Sequence, residues 1–215
     1  MPLNRYSGSR RHNTICITFD DGFEDFYRNA FPVLQRYGMT ATVFIVSGFI
    51  GEKSTWDTLS PNLHLNKSQI RVLHRNGIEI GSHTVTHPNL TFLSPKDIRT
   101  ELLDSRVCLE DIIGAPVTSL SFPFGCWNTR VWDIARECGY TCGTVYRGWR
   151  NAPAELYPVW GAYSIDSAED LWEKAVSSSK YFSSARARAR MLTHFAKGTP
   201  VWRFRRSYRI SSIFS

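Results

Sequence analysis

Two adjacent carboxylates at the end of an apolar run are the first residues in this chain that can do chemistry. Asp20 and Asp21 stand in Thr18-Phe19-Asp20-Asp21-Gly22, directly after Ile15-Cys16-Ile17. Such a β-branched run reads as a buried strand, and Gly22 lets the backbone turn sharply where it ends. Anions a few ångströms apart repel unless a cation or a proton lies between them. The matching feature downstream is Gly81-Ser82-His83-Thr84-Val85-Thr86-His87-Pro88, two imidazoles four residues apart after the strand-like Ile78-Glu79-Ile80. His83 and His87 can converge on one ion with a carboxylate of the first stretch, and His, His and Asp make a usable zinc site. The other carboxylate then remains as a general base for water.

These motifs can meet only if the elements between them return each one to the same end of a sheet. Residues 25–37 read as a helix stopped by Gly38, with Pro32 marking a break or a fresh first turn. Residues 41–46 form a second buried strand, and residues 67–76 a short helix capped by Asn66 or Ser68 and stopped by Gly77. Ser94-Pro95 opens a helix that runs to Gly114, with Ile98, Leu102, Leu109 and Ile112 on its buried face. Residues 117–122 make another strand, and Asn128 caps a helix that Gly139 ends. Residues 140–146 are strand-like, strand character returns around Val159-Trp160, and Ser167 caps a helix to about Lys180. Strands and helices alternating in this way indicate parallel βα units, whose chemistry belongs at the strand C-termini.

At 215 residues, 42% of them hydrophobic and 21% charged, the chain suits one well-buried domain without an internal repeat. The expected division is an N-terminal extension over residues 1–12, one catalytic domain over 13–182 and a basic tail over 183–215. The net charge of +7 is carried by the end of the chain, because all 19 acids lie at or before Glu173. No aromatic stacking platform accompanies that charge, so a solvated tail is expected rather than a nucleic-acid surface. No apolar run reaches membrane-spanning length, and the five cysteines lack paired spacing, which suits a reducing, cytoplasmic setting. His12, His64 and His74 read as surface or loop residues, and Cys126 is the one cysteine worth testing for reactivity.

In this order the two motifs resemble the polysaccharide deacetylases of the NodB-homology group, carbohydrate esterase family 4. Thr18-Phe19-Asp20-Asp21-Gly22 is similar to the family's TFDDG, and Ser82-His83-Thr84-Val85-Thr86-His87 is similar to its H(S/T)xxH with the usual flanks. The resemblance implies a distorted (β/α)7-type barrel of the α/β class that removes acetyl groups from N-acetylglucosamine units of a chitin-like, peptidoglycan or exopolysaccharide glycan. It makes Asp20 the general base and Asp21, His83 and His87 the ligands of a divalent metal, with zinc the expected ion. Ser121-Phe122-Pro123-Phe124-Gly125 partly matches a third motif, RxPxG. Pro123 and Gly125 keep the turn whose Phe124 amide would hold the oxyanion, Phe124 and Trp127 would wall the sugar site, and Ser121 replaces the arginine that orients the base. A fourth motif of the DxxDW kind has no match; residues 166–172 read instead as a helix N-terminus with acids in its first turn. Leu192-Thr193-His194 fits a fifth motif, LxH, and so makes His194 the implied general acid. Two alternatives stay open: a lectin-like relative that binds sugar without turnover, and an amidohydrolase acting on a small cyclic amide or ureide.

Overall fold

A computed structural model describes residues 1–5, 14–54, 62–146, 152–162 and 166–176. The chain divides into two units, Met1–Val159 and Trp160–Ser215. The first holds six strands: β1 (Thr18–Phe19), β2 (Thr42–Ile45), β3 (Glu79–Ser82), β4 (Ser119–Ser121), β5 (Cys142–Tyr146) and β6 (Leu156–Val159). They pair in parallel and in chain order, β1-β2-β3-β4-β5-β6. A doubly wound sheet reverses its strand order at a switch point, whereas a (β/α) barrel adds each strand beside the last. The sheet is therefore of the barrel type, and six of its strands lie among the described residues.

Helices α1 (Phe31–Arg36), α2 (Lys67–Arg75), α3 (Pro95–Ile113) and α4 (Thr129–Glu137) connect the strands. Their starts are written locally. Asn66 and Gln69 exchange side-chain bonds with each other's backbone N–H at 3.0 and 2.9 Å, a capping box for α2. Ser94 and Asn128 cap α3 and α4 in the same sense, and Gly114 ends α3 in the left-handed conformation. α1 begins as expected at a break: a π-turn over Phe26–Ala30 precedes it, and Pro32, which has no N–H to donate, sits in its first turn. In the second unit α5 (Ala168–Val176) follows Ser167, whose N–H and hydroxyl both reach Asp170 at 2.9 Å. The helix-terminus reading of that segment holds.

β2 is buried on both faces, as a strand inside a parallel sheet must be, and it packs with Ile70, Leu73, Ile98, Leu102 and Leu120 in the main core. Each such side chain contributes about 2 kcal/mol on leaving water. The apolar run before Asp20 behaves differently from expectation. Its strand pairing begins only at Thr18, and Ile15 is 51% exposed. β3 runs longer than expected, through Gly81 to Ser82, which carries the sheet to the residue before His83.

Candidate metal centre

Register puts the two motifs at one end of the sheet. Phe19 of β1 pairs with Val43, Ile45 pairs with Ser82 of β3, and Ser82 pairs with Leu120 of β4. Asp20-Asp21 and His83 therefore leave neighbouring parts of the same edge. The Gly22 N–H donates to the Asp20 carbonyl at 2.9 Å, closing a three-residue turn with Asp21 at its centre and φ of 69°. Such a γ-turn is rare for a residue with a side chain, and it aims the Asp21 carboxylate back over the strand end.

The histidine loop is fastened to the chain leaving β2. Ile45 accepts from the His83 N–H at 2.9 Å, while Ser47 and Gly48 donate to the carbonyls of Thr84 and Val85 at 3.0 and 2.9 Å. A Cβ on Gly48 would lie 2.6 Å from the Val85 oxygen, so only glycine allows this approach. Thr84 and His87 take φ of 70° and 60°, and the His87 N–H donates to Thr84 Oγ1 at 3.0 Å. The loop folds over itself so that both rings face the same point.

That point is Asp21. Its Oδ1 lies 3.5 Å from His83 Nε2 and 3.4 Å from His87 Nε2, and one ligand atom from each of the three residues falls within 4.8 Å of the others. His83 Nδ1 is 2.8 Å from the carbonyl of Ser121, an acceptor only, so Nδ1 carries a proton. In the neutral ring Nε2 then presents its lone pair to the carboxylate oxygen, two acceptors facing each other. Donors around a tetrahedral zinc with bonds of about 2.0–2.1 Å stand about 3.3–3.4 Å apart. The donor set and its two carboxylate–imidazole separations suit a divalent cation, and the bond to the Ser121 carbonyl is of the kind that orients a histidine toward a metal.

Residues 7–143 match the family model described as polysaccharide deacetylase. The chain belongs to that family. It is 36% identical over 129 residues to YxkH of Bacillus subtilis, itself assigned to the polysaccharide deacetylases, covering 60% of this chain and 43% of that protein. It is 27% identical over 133 residues to the chitooligosaccharide deacetylase of Azorhizobium caulinodans, covering 61% and 57%. The chain thus spans about half the length of these relatives. The solved structure of IcaB from Ammonifex degensii shares the fold, with a TM-score of 0.63 and 22% identity over 75% of this chain and 71% of that one.

The other expected site residues fall as follows. Asp20 is exposed at the start of the turn that carries Asp21. Pro123 is buried in a short 3-10 turn after β4, and Phe124 at its centre has φ of 61°. The Phe124 ring meets His87 edge-on, centroids 4.8 Å apart, which places the residue beside the Asp21-His83-His87 cluster. Trp127 is 7% exposed and packs on Phe122 in the core, so little of its face is left to wall a sugar. Ser121 is buried, and the contribution it makes comes from its carbonyl. His194 lies outside the described residues. Cys126 leans on the carbonyl of Phe124 at 3.6 Å, and there is no disulfide among the described residues.

Two buried groups next to the site escaped the sequence reading. His64, expected on the surface or in a loop, is 1% exposed, with its Nδ1 2.9 Å from the Asp21 carbonyl and its ring against Phe23 and Phe49. Burial pushes its imidazole down to about 4, against a smaller upward effect of the Asp21 bond, so at neutral pH a neutral ring donates to the Asp21 carbonyl. An antiparallel bridge between Phe23 and His64 brings it there, and its neighbours Leu63 and Leu65 were the available signal. Glu101 of α3 is buried under the histidine loop. It occupies the apolar stripe Ile98, Leu102, Ser105, Leu109, and an acid inside such a stripe marks a specific partner. Burial pushes its carboxyl up, while bonds from Thr86 and Val85 pull it back.

Proposed function

We propose that this chain is a metal-dependent N-deacetylase that hydrolyses the acetamide of N-acetylglucosamine units in an oligo- or polysaccharide and releases acetate. The observation that carries the reading is Asp21 Oδ1 lying 3.5 and 3.4 Å from the Nε2 atoms of His83 and His87. Asp21, His83 and His87 would hold the ion, with zinc the best match to two imidazoles and one carboxylate. When bound, the cation supplies Lewis acidity, which acidifies water and polarises an amide oxygen. Asp20, adjacent to the ligand and exposed, takes the proton of the attacking water. The left-handed backbone at Phe124 turns the chain next to His87, and the Phe124 N–H is the donor assigned to the negative charge on the acetamide oxygen. The Phe124 ring walls the same side. His194 is assigned the return of a proton to the leaving amine.

Chitooligosaccharides are the first substrates to try, because the Azorhizobium relative is named for them. The test follows acetate release from chitooligosaccharides by the protein as purified, after chelation, and after zinc is restored. Loss on chelation and recovery with zinc is expected. Sugar binding without release at any zinc concentration would favour the lectin-like reading, which the buried Ser121 in place of an arginine also supports. Turnover of ureides alone would move the substrate to small amides.

A further inference from the structure

The loop bearing both histidines is held from beneath by one carboxylate. Glu101 is 2% exposed, and its Oε2 accepts from the backbone N–H groups of Val85 at 2.8 Å and Thr86 at 2.9 Å. Its Oε1 accepts from Thr86 Oγ1 at 2.5 Å. The bonded residues are the two at the apex between His83 and His87, and they are flanked by Thr84 and His87, both left-handed. Such conformations persist only where the surroundings over-determine them. On the other side the chain at Ser47-Gly48 donates to the carbonyls of Thr84 and Val85. The Val85 peptide region is thus held through its carbonyl by Gly48 and through its N–H by Glu101.

We propose that Glu101 is a positioning residue of the metal centre, which sets the spacing of His83 and His87 by fixing residues 84–87. The inference rests on the metal-binding reading above. What the loop needs from residue 101 is acceptor geometry rather than charge. A glutamine presents its carbonyl oxygen to both backbone N–H groups and its amide N–H to the Thr86 hydroxyl, which accepts as readily as it donates. An alanine offers nothing, and it leaves two inward N–H groups and a hydroxyl to find other partners.

The experiment uses the whole chain. Metal-free wild type, Glu101→Ala and Glu101→Gln are titrated with zinc in competition with a chromophoric chelator, at a temperature where circular dichroism shows each folded. Amide hydrogen exchange at Val85 and Thr86 is followed in the same metal-free samples. Glu101→Ala is expected to lose about tenfold or more in zinc affinity, as outer partners of ligands do, and to exchange those two amides faster. Glu101→Gln is expected to stay within about threefold of wild type in both measurements. A merely structural role lowers the melting temperature of Glu101→Ala and leaves its zinc affinity unchanged, and that result overturns the proposal. Equal losses in the two variants overturn it as well, since charge would then be what matters. Should Glu101→Ala not fold, Thr86→Val removes a single bond of the set and is expected to weaken zinc by about two- to fivefold; no change would sink the idea. A wild type that takes up no zinc defeats the metal reading itself, whereas tight zinc in wild type and Glu101→Ala alike defeats only the role of Glu101.

Discussion

The two ends of the sheet treat polar groups in opposite ways. At the N-terminal end, Thr42 and Glu79 are the paired first residues of β2 and β3, and the chain's own start covers them. The Leu3 N–H donates to Thr42 Oγ1 at 3.0 Å, that hydroxyl donates to Glu79 Oε2 at 2.6 Å, and the Asn4 N–H reaches both Glu79 oxygens at 3.2 and 3.1 Å. Leu3 itself packs against Phe44 and Cys142. Acceptors there meet donors in ordinary backbone geometry. At the C-terminal end a carboxylate oxygen and two imidazole nitrogens converge on one another. All four positive-φ residues other than glycine among those described, Asp21, Thr84, His87 and Phe124, lie in the loops leaving β1, β3 and β4. One end closes on itself and serves stability; the other concentrates strain and acceptors, the arrangement that a bound cation relieves.

The sharpest way to break this contrast is to separate the ligands from the base at the strained end. Asp20→Asn keeps the size of the side chain and removes its basicity. It is expected to cut the rate of acetate release by about 10²–10⁴-fold while the zinc content stays at the wild-type level. His83→Ala is expected to lose the zinc together with the activity. Atomic absorption on the two dialysed proteins, alongside the acetate assay, checks both. Full activity in Asp20→Asn would remove the base from this end of the sheet.

How far the contrast could be read from the chain alone depends on which end is considered. Asp21, His83 and His87 were legible because each motif is short, follows a strand and carries residue types with few other uses in such a spacing. Helix starts at Asn66, Ser94 and Asn128 were equally plain, since caps are local chemistry. His64 was not legible, because its burial comes from a bridge to Phe23, a contact across 41 positions that no local period announces. The support from Glu101 depends on how α3 lies against the loop. Trp127 shows the converse: its neighbours made it a plausible sugar wall, and the packing of Phe122 turned it into the core. The polar knot of Leu3, Thr42 and Glu79 joins three distant segments and left no trace in the sequence pattern.

A smaller effect is expected from His64, which ties the pH response to the end that carries Asp21. Its folded-state pKa is about 4 against an ordinary 6.5, so the proton prefers the unfolded chain. The associated stability is present above about pH 6.5 and is lost as the pH falls from there towards 4, by no more than about 3 kcal/mol. Denaturant unfolding of the metal-free protein at a series of pH values should show this slope. In His64→Gln, which has no charge to gain, the wild-type-minus-variant difference should shrink across that interval. Parallel slopes in the two proteins would mean that other groups carry the acid response.

The least expected change lies at the opposite end and tests whether the two ends are independent. Thr42→Val keeps the shape of the side chain and deletes the hydroxyl that links Leu3 to Glu79. A buried N–H and a carboxylate oxygen each lose a partner, which costs about 1–3 kcal/mol of stability. The bonds to Ile45, Ser47, Gly48, Ser82, Glu101 and Ser121 that fix residues 83–87 do not involve Thr42, so the histidine loop should keep its place. Zinc affinity should therefore match the wild type at temperatures where both proteins are folded, while the denaturation midpoint falls. A zinc affinity that dropped with the midpoint would show that the N-terminal knot also sets the spacing of β2 and β3 at the metal centre, and the separation of the ends into a stabilising one and a chemical one would fail.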